Sequence, residues 1–171
     1  QALDQAMQHH AVGRYADAEI LYRSILQNEP KHPAALHLLG VLAHQAGDND
    51  SAVELIAQAL AINPDSAAAH CNLGLALQAL GRFADAVASY RRALALNPDY
   101  AEAHNNLGVL CHDRGRMDEA VSGFRQALAV NPDSAETHNN LGFALQALGR
   151  PEEAVASYRR ALAIDPDLAE A

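Results

Sequence analysis

Apolar residues in the middle of the chain recur every three or four positions, stop at a glycine, and then recur again. The positions in one such stretch are Leu73, Leu77 and Leu80, then Gly81, then Val87, Tyr90 and Leu94. This spacing places the apolar residues on one side of two successive helices. Gly81 tolerates the positive φ that often follows a helix end, and a short turn makes the two helices antiparallel. The pattern therefore predicts a helical hairpin.

The hairpin pattern recurs along the chain with a constant step of 34 residues. Three residue types keep that step, at Pro30, Pro64, Pro98, Pro132 and Pro166, at Gly40, Gly74, Gly108 and Gly142, and at Ala18, Ala52, Ala86, Ala120 and Ala154. Residues 67–100 and 135–168 are identical at 24 of 34 positions. A fixed step of this length is typical of stacked structural repeats. The sequence predicts one all-α array, with a partial repeat at 1–32, full repeats at 33–66, 67–100, 101–134 and 135–168, and the start of a further repeat at 169–171.

Local signals indicate where helices begin, end and touch. Pro98 cannot continue a helix, and Asp99 is expected to cap the next one. Pro151 is expected in the first turn of a second helix, where its missing N–H costs little. Gly40 and its counterparts are expected where helix backbones approach each other most closely.

The order of small and large residues within one unit resembles the tetratricopeptide repeat. The residues that carry the resemblance are His70, Leu73, Gly74, Leu77, Ala86, Tyr90, Ala93 and Pro98. The resemblance implies a right-handed superhelical solenoid in which first helices line a concave groove and second helices lie outside. The units depart from the family where it often has Trp and a later aromatic residue. Those positions hold Leu36, His70, His104 and His138, and Ala43, Leu77, Cys111 and Leu145.

By that resemblance, three rows of side chains face the concave groove. The apolar row is Met7, Val41, Leu75, Val109 and Phe143; the amide row is Asn72, Asn106 and Asn140, broken by Leu38, with His37, Cys71, Asn105 and Asn139 near it; the third row is His10, His44, Gln78, His112 and Gln146. Asparagine offers a donor and an acceptor to a peptide main chain, and an apolar row accepts alternate side chains of an extended peptide. We therefore expect a protein interaction scaffold that binds a protein or an extended peptide.

Three alternatives to this peptide-binding function stay open. The asparagines could hydrogen-bond between adjacent repeats and bind nothing. The units at 70–74, 104–108 and 138–142 resemble the arrays of O-linked N-acetylglucosamine transferase, in which inward asparagines hold substrate proteins. That resemblance implies a substrate-recognition array of a larger glycosyltransferase-like enzyme. The third alternative is a purely structural or self-associating module.

Histidines and nucleophiles do not form a chemical site in this pattern. His70, His104 and His138 occupy one position in successive repeats, about 10 Å apart at helix-packing distances, which is too far for one zinc ion. They are expected to be partly buried, hydrogen-bonded imidazoles in the place of the family's Trp. No Ser-His-Asp or Cys-His arrangement stands apart from the repeat. We expect no catalytic activity, no metal and no cofactor.

Composition and charge narrow the range of partners. The 171 residues are 50% hydrophobic but only 5% aromatic, which suits close helix packing. Most arginines fall on second helices and turns, and the net charge of −9 opposes binding to a phosphate backbone. No apolar run is long enough for a bilayer, and the first residues show no targeting signal. We expect no nucleic-acid or membrane partner, a cytoplasmic location, and two small buried cysteines, Cys71 and Cys111.

The end of the chain predicts self-association. Residues 169–171 have the same sequence as residues 101–103, the beginning of the repeat at 101–134. The face of the last helix that a further repeat would cover, around Tyr158, Ala161 and Leu162, is expected to be exposed. Since the two ends of a repeat array are complementary, we expect end-to-end association that extends the superhelix.

Overall fold

The computed structural model describes residues 1–169, which form ten α-helices and a final 3-10 helix without any strand. The helices are α1 (Ala2–Ala11), α2 (Tyr15–Asn28), α3 (Pro33–Gln45), α4 (Asn49–Ile62), α5 (Ala67–Ala79), α6 (Phe83–Leu96), α7 (Ala101–Asp113), α8 (Met117–Val130), α9 (Ala135–Ala147), α10 (Pro151–Ile164) and the 3-10 helix η1 (Pro166–Ala169). Each of the predicted repeat segments up to residue 168 contains one pair of α-helices.

A glycine in the left-handed region ends the first helix of every pair. The φ angles are 76° at Gly13, 83° at Gly47, 72° at Gly81 and Gly115, and 70° at Gly149. Only glycine adopts this conformation without a steric cost from Cβ. The turn predicted at Gly81 is confirmed and is common to all five pairs.

The chain divides into two compact units, Gln1–Ser89 and Tyr90–Ala171. In the first unit each helix from α1 to α4 packs on the next one, and α3 also contacts α5. In the second unit α7, α8, α9 and α10 pack in the same sequence, and α7 also contacts α9. Each unit therefore has a face made of adjacent first helices, α3 with α5 and α7 with α9, which we call the α3–α5 face and the α7–α9 face.

The core of each unit is built from repeat positions. Alanine is buried at every step of one series, Ala18, Ala52, Ala86, Ala120 and Ala154. Four residues later stands a large side chain, which is buried at Tyr22, Ile56, Tyr90 and Phe124 and half-buried at Tyr158. A small residue followed one turn later by a large one lets the two helices of a pair approach closely while the space between them is filled.

The predicted close approach is confirmed at three of the first-helix glycines. A Cβ added at Gly40 would lie 2.6 Å from Cγ1 of Ile56, and one at Gly108 would lie 2.7 Å from Cε1 of Phe124. At Gly142 it would overlap the ring of Tyr158. Each of these glycines therefore faces the large side chain of its own helix pair.

Two expectations about helix ends have different outcomes. Pro151 is the first residue of α10, as predicted. The predicted cap at Asp99 is wrong, because α7 begins one residue later and Tyr100 occupies the cap position without a side-chain hydrogen bond. The backbone N–H of Asp99 instead donates to Oδ1 of Asn97, 3.2 Å away, in the preceding turn. Side-chain caps are present at Ser66 and Ser134.

The predicted exposure of the α10 face is correct only in part. Leu162 is 41% exposed, but Ala161 is 2% exposed, so the expectation for Ala161 is wrong. This alanine is the counterpart of the buried Ala59 and Ala127, a position where the second helix packs within its own pair. Tyr158 is half-buried, with its ring in edge contact with Phe143 at 5.5 Å between centroids.

Candidate functional site

The histidines at the Trp position hold the loop that precedes each first helix. The Nε2 atoms of His70, His104 and His138 lie 3.0, 2.9 and 2.9 Å from the carbonyl oxygens of Pro64, Pro98 and Pro132. A neutral ring donates its Nε2–H to each carbonyl. The expectation of half-buried, hydrogen-bonded imidazoles is confirmed for this nitrogen, although the other ring nitrogen of His104, Nδ1, is buried without a partner. The role of this position is to anchor a loop.

The apolar row lies on the first helices with graded exposure. Met7 on α1 is 48% exposed and Phe143 on α9 is 50% exposed. Val41, Leu75 and Val109 are half-buried. Phe143 is therefore the most exposed apolar side chain of this row on the α7–α9 face.

Asn72 is the member of the amide row on the α3–α5 face, and its amide is already occupied. Its Nδ2 lies 2.8 Å from Nε2 of His37, the residue 35 positions earlier on α3. The amide N–H donates to the unprotonated nitrogen of a neutral imidazole. Burial lowers the pKa of His37, which keeps the ring in this neutral form. This pair links α3 to α5, as the structural alternative for the asparagines expects.

The amides of the α7–α9 face have longer hydrogen bonds. Asn105 is 9% exposed, and its Nδ2 donates to Oε1 of Glu136 at 3.5 Å. Asn140 Nδ2 donates to Oδ1 of Asn105, also at 3.5 Å. This distance is the outer limit of a hydrogen bond, so both contacts are weak. Asn106 and Asn139 are half-buried on the same two helices.

Two small cavities lie at equivalent places next to the amide rows. The α3–α5 pocket, about 150 Å³, is lined by the polar residues His37, Asn63 and Ser66 and by Pro33, Ala34, Ala59 and Ala69. The α7–α9 pocket, about 190 Å³, is lined by the polar residues Glu102, Asn105, Asn131, Ser134, Glu136 and Thr137 and by Ala101 and Ala127. His37 and Asn105 are among the residues predicted from the sequence, but the cavities are not, because a cavity depends on distances between helices that periodicity does not set.

The third predicted row makes contacts within the chain. His10 Nε2 lies 3.1 Å from Oε1 of Gln45, and His44 Nδ1 lies 2.5 Å from Oδ1 of Asn49. Tyr158 donates its hydroxyl to Oε1 of Gln146 at 3.1 Å. The remaining members are His112, which lies 3.5 Å from Asp113, and Gln78, which also has a partner. This row is therefore held mainly by neighbouring helices and turns.

Several exposed arginines on second helices pair with carboxylates. In the second unit Arg125 on α8 pairs with Glu153 on α10 at 2.9 Å. The equivalent Arg23 on α2 pairs with Glu19 on its own helix at 2.8 Å, since Ser51 occupies the position of Glu153. A cavity of about 530 Å³ lies between α2 and α4, and Glu19 and Arg23 form part of its wall. The sequence signal for this cavity is Glu19, because the other four repeats have valine at the equivalent position.

Within residues 1–169, no group of three or more His, Cys, Asp or Glu side chains could hold a metal ion. Cys71 and Cys111 are buried, as predicted, and neither forms a disulfide. Burial raises the pKa of the Cys111 thiol. Every helix in this range falls short of the length and apolarity that crossing a bilayer requires.

The His37–Asn72 pair predicts a pH dependence of stability. The pKa of folded His37 lies below its ordinary 6.5 because of burial, so the unfolded chain takes up a proton first as the pH falls. The contribution of neutral His37 is complete above pH 6.5 and declines as the pH drops through the lowered value. We expect the urea unfolding midpoint to decrease from pH 7 to pH 5. The decrease should be smaller in His37→Asn, which places at position 37 the asparagine found at the equivalent position 105. Equal declines in both proteins would contradict this account.

Comparisons with known proteins agree with the repeat architecture. Three tetratricopeptide-repeat family profiles match residues 9–80, 71–124 and 99–167. The crystal structure of MamA is similar with a TM-score of 0.81, at 25% identity and with 97% of each chain covered. TTC0263, a thermophilic tetratricopeptide-repeat protein in Thermus thermophilus, is similar with a TM-score of 0.82, at 28% identity over 99% of this chain and 92% of the other. No curated protein gives a significant match. These matches show an all-α repeat solenoid, whereas the narrower resemblance to O-linked N-acetylglucosamine transferase arrays is not shown.

Proposed function

Because this chain belongs to the tetratricopeptide-repeat family, whose members are protein interaction modules, we propose that it binds an extended peptide of a protein partner across its first helices. The observation that carries the proposal is the α7–α9 face, which combines the exposed ring of Phe143, the half-buried Val109 and weakly bonded amides. Apolar anchors next to amides supply the two kinds of contact that an extended peptide needs.

The two faces differ in how much of their amide row is available to a ligand. The amide of Asn72 already donates a hydrogen bond to Nε2 of His37, at 2.8 Å. Asn140 reaches Asn105 only at 3.5 Å, so a peptide carbonyl would replace this contact at little cost. We therefore place the main-chain contacts of the peptide on the α7–α9 face and give the α3–α5 face, with Val41, Leu75 and His44, a supporting role.

The experiment begins with a random peptide library displayed against the immobilised chain, from which one peptide is selected and labelled. Its affinity is then measured by fluorescence polarisation for the unaltered chain and for the triple substitution of Asn72, Asn106 and Asn140 by alanine. We expect a loss of about 1 kcal/mol for each amide that contacts the peptide, with the helical circular dichroism nearly unchanged. The single change Asn72→Ala should account for the smallest share.

A phenylalanine pair provides the matched control for the apolar contact. Phe143→Ala should weaken binding of the peptide by about 2 kcal/mol, the loss typical of a buried aromatic anchor. Phe83→Ala removes the same side chain from the start of α6, where Phe83 is 36% exposed, and should leave affinity unchanged. If Phe143→Ala and the triple asparagine variant both bind the peptide as tightly as the unaltered chain, the peptide does not bind this face. These residues would then have a structural role.

A substrate-recognition role and self-association stay predictions beside the proposed peptide binding. A substrate-recognition role within a larger glycosyltransferase-like enzyme requires the same faces to bind that enzyme's protein substrates. End-to-end self-association would appear as an increase in sedimentation coefficient with concentration. The absence of catalysis, of nucleic-acid binding and of membrane binding, and the cytoplasmic location, also stay predictions.

A further inference from the structure

The cavity between α2 and α4, which we call the α2–α4 cavity, lies entirely within the first unit. Its most buried lining is apolar. Leu39 and Leu42 of α3 are 5% and 7% exposed, and Ala43 and Leu55 are half-buried. The volume of about 530 Å³ is that of an ordinary small-molecule site.

The equivalent place in the second unit, between α8 and α10, is filled by side chains. Val121 and Leu145 are 4% and 1% exposed there and belong to one core cluster, against which Leu148 packs. The residues at these positions in the first unit are Glu19, Ala43 and Ala46. The two alanines leave the space of two leucine side chains empty, and a carboxylate does not fill an apolar space because its desolvation is costly. The α2–α4 cavity therefore results from particular residue exchanges and not from the repeat itself.

The second unit also has an ion pair that bridges its two second helices at this place. Arg125 of α8 pairs with Glu153 of α10 at 2.9 Å. In the first unit Ser51 takes the position of Glu153, and Arg23 pairs with Glu19 on its own helix. The equivalent bridge is therefore not formed between α2 and α4, so a ligand can enter between these helices.

Carboxylates outnumber cationic groups in the wall of the α2–α4 cavity. The charged side chains of the wall are Glu19, Arg23, Asp48 and Glu54. Arg23 is neutralised by Glu19, 2.8 Å away. Hydrogen bonds that Ser51 donates lower the pKa of Asp48, so its carboxylate is ionised at neutral pH. Asp48 and Glu54 leave the wall with a negative charge that attracts a cation and repels an anion.

An aromatic ring in the wall also favours a cation, independently of the carboxylates. Tyr15 lines the cavity at the start of α2 and is 51% exposed. The ring of His10 meets it edge-on, with 5.7 Å between centroids, which restricts its rotation. The face of a tyrosine ring attracts an ammonium group, and aromatic molecules pack against it. The cavity thus combines an apolar lining with two kinds of group that attract positive charge.

We propose that the α2–α4 cavity binds a small aromatic amine in its ammonium form. Its aromatic body packs on Leu39 and Leu42, and its ammonium group lies by the carboxylates of the wall. A hydrated inorganic cation would leave the apolar lining uncovered, and an uncharged apolar molecule would leave the carboxylates without a counter-charge. This site is separate from the first-helix faces proposed for the peptide and does not depend on them.

The probe for the test is tryptamine, whose indole emission is distinct because the chain contains no tryptophan. We expect its fluorescence polarisation to rise saturably with protein, with one site and a dissociation constant of about a millimolar or lower. Indole-3-propionate carries a carboxylate on the same aromatic body and should bind at least about tenfold more weakly. The neutral 3-propylindole should bind about fivefold more weakly than tryptamine.

Two double variants close the α2–α4 cavity with residues that the second unit already uses. Ala43→Leu with Ala46→Leu fills the apolar space and should weaken tryptamine at least about tenfold without lowering the urea unfolding midpoint. Glu19→Val with Ser51→Glu gives Arg23 a partner on α4, as in the second unit, and should also weaken tryptamine. This second variant covers the case in which the leucine variant folds poorly.

A charge variant and its matched control test the preference for a cation. Asp48→Asn with Glu54→Gln keeps the side-chain sizes and should weaken tryptamine about fivefold while leaving 3-propylindole unchanged. Glu29→Gln with Asp50→Asn removes two exposed carboxylates of the same unit that do not line the cavity, and should leave tryptamine binding unchanged.

The site assignment is overturned if tryptamine shows no saturable binding, or if a folded variant with a closed cavity still binds it as tightly as the unaltered chain. Equal affinity for tryptamine, 3-propylindole and indole-3-propionate overturns the proposed ligand class. Peptide binding is measured with a different ligand and with variants of the first helices. Failure of the amine site would therefore leave the proposed function intact, and failure of peptide binding would leave the amine site intact.

Discussion

Phe124→Ala is expected to destabilise the second unit by about 3–5 kcal/mol, the loss typical of removing a fully buried phenylalanine. The ring is 1% exposed and belongs to a core cluster with Val121, Leu141 and Leu145. It also lies directly against Gly108 of α7. Helices fixed at this distance cannot collapse onto the vacated space, so most of the cavity should persist.

The measurement is urea unfolding followed by circular dichroism, with hydrogen exchange to locate the loss. In repeat proteins each unit contacts mainly its neighbours, so faster exchange should concentrate in α7 to α10 and spare α1 to α4. Phe143→Ala is the control, because this ring is 50% exposed and should cost far less stability. A loss below about 1 kcal/mol in Phe124→Ala would show that the second unit does not depend on this contact.

Gly108→Val should be the second most damaging change, at about 2–3 kcal/mol from overpacking. The first carbon of the new side chain would lie 2.7 Å from Cε1 of Phe124, too close for any real contact. The ring cannot move aside easily, since Gly123 on α8 holds the backbone of α7 at close range; a Cβ there would meet Gly108 Cα at 3.1 Å. The two helices must therefore separate.

Gly142→Val makes the matched comparison for Gly108→Val. Its new side chain would also meet an aromatic ring, that of Tyr158. Tyr158 is half-buried and on α10, so its ring can rotate toward solvent at the cost of its contacts with Phe143 and Gln146. We expect a smaller decrease in the unfolding midpoint than for Gly108→Val. Equal decreases would show that burial of the opposing ring does not decide the cost.

These predictions assign different roles to the two phenylalanines of the second unit. Phe124 is on a second helix and fills the space inside its pair, so its loss affects folding. Phe143 is on a first helix and stands half exposed beside the amides, so its loss should affect binding. Measuring stability and peptide affinity for both alanine variants separates folding from recognition within the same few helices.

The sequence by itself determined the repeat, the hairpins and the class of protein. Proline and glycine act through their own backbone preferences, so their step of 34 residues predicted each turn and helix end within a few positions. Gly40 and its counterparts predicted the close approach that Gly40, Gly108 and Gly142 show inside their pairs, because glycine leaves the room that a Cβ would fill. The cap expected at Asp99 failed because any of several neighbouring residues can occupy the position before a helix.

Only the tertiary structure decided which polar side chains of the first helices are held by short hydrogen bonds and which have only long ones. Asn72 and Asn140 stand at the same repeat position, yet one lies 2.8 Å from His37 and the other 3.5 Å from Asn105. The burial of Asn105 and the two pockets were likewise invisible in the pattern. Hydrogen bonding and burial depend on fractions of an ångström between residues about 35 positions apart, and periodicity places residues on faces but does not set those distances.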